Sequence, residues 1–150
     1  MDFWNSREAR RAEIASANGL ASARSLAVVA GHLATPGASF PLSPSAWQEM
    51  HDFPTEGSTF GMKTNFTQGG VNKFAGGEES VGEVKPGEIV HYGDQLPGGL
   101  YGWGGYGGSL FLWSPQHKIG FAYIPTYLAW YDRGKQRAVN CLRKLFDCLH

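Results

Sequence analysis

The chain has 150 residues, with 13 Lys plus Arg against 13 Asp plus Glu and a formal net charge of zero. That length suits one domain with a modest core. No basic run exceeds two residues, and no apolar run approaches the ~18 residues of a membrane span, so neither a nucleic-acid footprint nor a transmembrane helix is expected.

The first 19 residues alternate in charge through Arg7, Glu8, Arg10, Arg11 and Glu13. They read as a short exposed helix or an extended arm. The opening MDFWNSREARRAE lacks the apolar core of a secretory signal, so an intracellular setting is expected. Ser22 offers a helix cap, and Leu26, Val29, Ala30 and Leu33 recur at helical spacing until Pro36-Gly37 stops the run. Ser43-Pro44 starts a second, short helix with Trp47 and Met50 on its buried face.

Thr59 to Phe66 alternates as a strand would, through Phe60, Met62, Thr64 and Phe66. Gln68-Gly-Gly-Val-Asn72 then turns. Glycine is unusually frequent, at 21 residues, and most of it lies between Gly57 and Gly108. Ala75 to Gly99 has few apolar anchors and several glutamates, and reads as a loop or a ragged edge hairpin.

The stretch Tyr101–Pro125, YGWGGYGGSLFLWSPQHKIGFAYIP, organises the rest. Leu110–Trp113 and Ile119–Ile124 are apolar, aromatic-rich runs separated by Ser114-Pro-Gln-His117. Proline and serine favour a turn there, so an antiparallel hairpin is predicted, with a glycine-rich lead-in that permits close backbone approach. Thr126 to Tyr131 follows as an aromatic linker. Asp132 then caps a final helix with Ala138, Cys141, Leu142, Leu145, Phe146, Cys148 and Leu149 on its apolar face. Cys141 and Cys148 would lie two turns apart, roughly 10 Å, too far for a disulfide. They read as reduced core residues.

Tyr101 to Ser109, followed by a strand, an S-P turn and GFAYIP, resembles the last active-site motif of the β-lactamase-related serine hydrolases. That family includes class C β-lactamases, penicillin-binding proteins, related esterases and animal β-lactamase-domain proteins. Arg10 to Gly19 with Ser22 to Leu26, and Asp132 to Leu149, resemble two further blocks in the family's order. The middle, about Ser58 to Gly99, matches only loosely. The resemblance implies an α+β fold: a short antiparallel sheet packed by helices, like the C-terminal part of the β-lactamase/transpeptidase-like domain. Residues 1–57 would be its helical part, 58–99 a glycine-rich strand and loop region, 100–131 the hairpin and 132–150 the last helix. It also implies a substrate groove lined by Trp103, Gly104, Gly105, Gly107, Gly108 and Ser109. The family's K-T-G or H-x-G tripeptide reads Trp103-Gly104-Gly105 here, so the glycines match and the basic or imidazole residue does not.

The family's chemistry needs Ser-x-x-Lys, which places a lysine one helical turn from the nucleophile. No serine in the chain has Lys three residues on. Tyr-x-Asn is absent too, Tyr92-Gly-Asp94 being the nearest form, and Gly-x-Ser-x-Gly does not occur. Nucleophile and base are both missing in recognisable form. The expected function is a truncated, non-catalytic family member. The alternatives are a C-terminal fragment of an active hydrolase with those motifs upstream, or a binding or structural module.

Trp103 reads either as a ligand-stacking residue or as a buried aromatic above the glycine-rich strand. Ser109 would be a nucleophile only with a base brought to it in three dimensions, and otherwise is a small residue beneath the strand. Gly102-Trp-Gly-Gly-Tyr-Gly107 fits G-x-G-x-x-G literally but enters a strand rather than a helix, so no dinucleotide cofactor is implied. The five histidines are scattered, without His-x-His or His-Glu-x-x-His, so no metal is implied and each reads as a surface residue. In the resembling fold, strands from further upstream pair alongside the hairpin. Here the hairpin with at most the Thr59 strand would leave an open edge, prone to self-association or to a strand-donating protein partner.

Overall fold

A computed structural model describes residues 3–17, 19–37, 42–59, 62–74, 96–105, 107–126 and 133–149. The expectations for residues 75–95, for Tyr92-Gly-Asp94, for residues 127–131 and for Asp132 as a cap fall outside that set.

Three serines start helices. Ser6 Oγ accepts the Ala9 N–H at 3.1 Å ahead of α1 (Arg7–Arg11). Ser22 Oγ accepts the Ser25 N–H at 3.1 Å ahead of α2 (Ala23–Ala34). Ser43 Oγ accepts the Ala46 N–H at 3.2 Å ahead of α3 (Pro44–His51), where Pro44 occupies the first turn. Each hydroxyl satisfies a backbone donor that has no partner within the helix. The last helix, α4, spans Arg133–Asp147.

The strands are β1 (Thr55–Thr59), β2 (Met62–Phe66), β3 (Asn72–Phe74), β4 (Leu100–Gly104), β5 (Leu110–Ser114) and β6 (Ile119–Tyr123). They form one antiparallel meander in sequence order, so each strand pairs with its chain neighbours. The fold is α+β, as the sequence led us to expect.

Alternation along β5 explains how helices cover the sheet. Leu110 and Leu112 join Phe74, Leu96, Leu100 and the α4 residues Ala138, Val139, Leu142 and Phe146 in one buried cluster. Trp113 joins Ala30, Leu33 and Ala34 of α2 in a second cluster, with Phe111, Tyr101 and Met50 packed against it. The two clusters lie on opposite faces. A strand covered on both faces needs an unbroken apolar run, which Leu110–Trp113 supplies.

Four expectations are corrected. Thr59 to Phe66 is not one strand: Thr59 pairs with Met62, and β1 runs back beside β2. Alternation at Phe60, Met62, Thr64 and Phe66 has the same period in one strand as in two arms of a hairpin, so it does not locate the reversal. Next, the glycine-rich lead-in is itself strand β4, paired with both β3 and β5. The sheet therefore exceeds the predicted hairpin plus one strand. Third, Cys141 and Cys148 are exposed rather than core residues, and so is Leu149. The buried stripe of α4 is Ala138, Val139, Leu142 and Phe146, and Cys148 lies beyond the last helical residue, out of phase with it.

Finally, Val29 is exposed, while Ala30, Leu33 and Ala34 face the core. The reason is close approach of α2 to β6. A Cβ on Gly120 would lie 2.5 Å from Ala27 O and 2.6 Å from Ala30 C, and closer still to Gly31 N. Only the small-residue side of α2 fits against a strand at that separation.

Candidate functional site

Trp103 stands near the end of β4, opposite Phe111 of β5. Its indole is half-buried and stacks on Phe66 of β2, with ring centroids 5.5 Å apart and planes at 23°. Gly104 is the last residue of β4 and pairs with Leu110. The chain then reverses. Gly105 N–H donates to Ser109 O at 2.8 Å, and Gly108 N–H donates back to Gly105 O at 3.2 Å. Gly107 (φ 90°) and Gly108 (φ 103°) hold backbone angles that side chains resist, which is why this tight reversal is built from glycine.

Trp103, Gly104, Gly105, Gly107, Gly108 and Ser109 are thus brought together as one strand end and one turn. Ser109 Oγ occupies the space over Gly105, where a Cβ would collide with it. The hydroxyl is folded back onto its own turn. Trp103 contributes to an internal aromatic stack, and part of its ring remains accessible.

Two further clusters were not expected. The first is Ser114 with His117, where Ser114 Oγ lies 3.0 Å from His117 Nδ1 and accepts the His117 backbone N–H at 3.3 Å. A hydroxyl beside an imidazole is the geometry of an activated nucleophile. Ser114, however, is fully buried, and the His117 ring packs edge-on against Phe146 at 5.0 Å and 75°. No acyl group reaches a hydroxyl so enclosed, so the pair locks the β5–β6 turn. The signal was present in Ser-Pro-Gln-His, since a turn-opening serine commonly bonds the backbone N–H that follows.

The second cluster corrects the reading of His51 as a surface residue. His51 is buried where α3 meets the sheet. Trp113 Nε1–H donates to His51 Nε2 at 2.8 Å. His51 Nδ1 lies 2.7 Å from the Trp47 carbonyl oxygen. Trp47 Nε1–H in turn donates to Leu33 O at 2.7 Å, joining α3 to α2. Tyr101 meets the imidazole edge-on at 4.6 Å and 89°.

Indole N–H only donates, so Nε2 must be the bare acceptor and Nδ1 must carry the proton toward the Trp47 carbonyl. Burial pulls the His51 pKa below the usual imidazole value, against the Trp47 carbonyl and Asp52, which favour the charged form. The i, i+4 spacing of Trp47 and His51 placed both on one helix face and was the signal for this contact.

No family model, curated protein or solved structure matches this chain. Among the described residues, no group of three or more His, Cys, Asp or Glu side chains is positioned to hold a metal. Among them too, no helix is long and apolar enough to cross a membrane.

Proposed function

We propose that this chain is a non-catalytic member of the β-lactamase-related serine hydrolases, resembling the C-terminal part of their domain, and that it acts by binding rather than by turnover. The observation that carries the reading is the closed β4–β5 turn. In a working groove of this kind a serine would point outward with a base beside it. Here Ser109 Oγ is turned over Gly105, and Gly105 N–H is engaged by Ser109 O. The one serine with an imidazole in reach, among the described residues, is the enclosed Ser114.

The sheet edge supports a protein partner for such a module. Among the described strands β6 is last in order, and its sequence Ile-Gly-Phe-Ala-Tyr carries no charge and no proline. Charged residues, proline and bulges are the usual protections of an edge, and an edge without them accepts another strand. The opposite edge, β1, is exposed and polar, with the charged Glu56 as its second residue.

The test is hydrolysis of a chromogenic cephalosporin and of a short p-nitrophenyl ester by the purified chain. The expected rate equals that of an albumin control. Saturable turnover abolished by Ser109→Ala would make Ser109 a nucleophile and end the non-catalytic reading.

A further inference from the structure

The buried His51 knot has a property independent of any hydrolase resemblance. Its donors and acceptors fit only one protonation state. Trp113 Nε1–H points at Nε2 from 2.8 Å. A proton added to Nε2 would set N–H against N–H, and Trp113 has no way to become an acceptor. The imidazolium would also sit amid the rings of Trp47, Tyr101 and Trp113, where a charge is poorly solvated.

We propose that His51 is an acid-operated latch, holding α3 against the sheet when neutral and releasing it when protonated. The charged and titratable groups on the elements around it do not offset this conflict at Nε2. α2 carries Arg24 and His32, and α3 carries Glu49 with Asp52 at its end. β3 carries Lys73, whose Nζ lies 5.8 Å from the Tyr101 ring centre, and β4 carries Tyr101 itself. β5 carries no titratable group. Asp52 favours the imidazolium, but burial outweighs it. Among the described residues, no acceptor stands ready to replace the Trp113 donor at Nε2.

Release would reach beyond α3. Thr67 Oγ1–H donates to Met50 O at 2.7 Å, and Gln68 N–H donates to Asp52 O at 2.9 Å, so the β2–β3 turn is tied to the end of α3. That turn directly follows Phe66, the ring that stacks on Trp103. Acid therefore loosens the support of the candidate groove as well as the helix.

The experiment is an NMR titration of the full chain from pH 8 to 5, following the ring carbons of each histidine and the indole N–H of Trp113 and Trp47. His51 should titrate below the ordinary 6.5. In the same step the Trp113 indole N–H should lose its hydrogen-bonded downfield shift. In Trp113→Phe the Nε2 conflict is gone, and the His51 midpoint should rise above that of the wild type. The wild-type titration decides the matter if that variant does not fold. A Trp113 resonance unmoved while His51 titrates, or a His51 midpoint at or above 6.5, would overturn the latch.

Discussion

Replacing Gly120 by alanine tests the packing that sets the whole α2 layer. The new Cβ would stand 2.5 Å from Ala27 O and 2.6 Å from Ala30 C, and closer still to Gly31 N. All three are backbone atoms of α2, so no side chain can rotate away. Ordinary contact begins near 3.4 Å, so the helix must retreat by roughly 1 Å, losing dispersion contacts along its length. Overpacking of this kind costs about 1–3 kcal/mol, and rigid backbone neighbours place this site near 3. At roughly 2–4 °C per kcal/mol for a chain of this size, the melting temperature should fall by about 6–12 °C. Gly31→Ala is the matched control. A Cβ there meets nothing within 4 Å, and the residue lies within α2. Alanine should therefore stabilise by up to ~1 kcal/mol. Urea unfolding of both variants, followed by tryptophan emission, gives the two differences directly. Near-equal midpoints for Gly120→Ala and Gly31→Ala would refute the close approach of α2 to β6.

The stability of the wild-type chain should depend on His51 with a defined sign. Its folded pKa lies below the unfolded 6.5, so the neutral imidazole's contribution is complete above that value and lost as pH falls from it through the folded pKa. Urea midpoints at pH 7.5 and 5.5 should therefore differ more in wild type than in His51→Gln, and an equal difference would be inconsistent with this linkage. Asn72→Ala should destabilise by about 1–3 kcal/mol, because Asn72 Oδ1 accepts the Asn65 N–H at 2.8 Å. An unchanged urea midpoint would mean that this donor finds another acceptor. The β6 edge should make the chain self-associate, so light scattering behind size exclusion should give a mass rising above 16.3 kDa with concentration. A constant monomer mass would show the edge to be covered.

Much of the fold was legible because local chemistry agreed with tertiary demand. Ser22 and Ser43-Pro44 announced the starts of α2 and α3, and the β5–β6 hairpin followed from its turn and its two apolar runs. Other features depended on distance rather than pattern. Nothing local says that Leu100–Gly104, with two glycines in five residues, is a central strand. It becomes one because β3 and β5 flank it. The exposure of Val29 depends on Gly120, far along the chain, admitting α2 only by its alanines. The groove residues were adjacent in sequence, so their grouping was visible, but the inward turn of Ser109 was not. His51 was read as a surface residue because its partner Trp113 lies 62 positions away.

The most direct measurement of the central claim is intact mass after incubation with a fluorophosphonate and with benzylpenicillin, which respectively phosphonylate and acylate an activated serine. With Ser109 folded onto Gly105 and Ser114 enclosed, the expected spectrum is the unmodified chain under both reagents. A stoichiometric adduct mapped to Ser109 or Ser114, and lost when that residue is changed to alanine, would contradict the account.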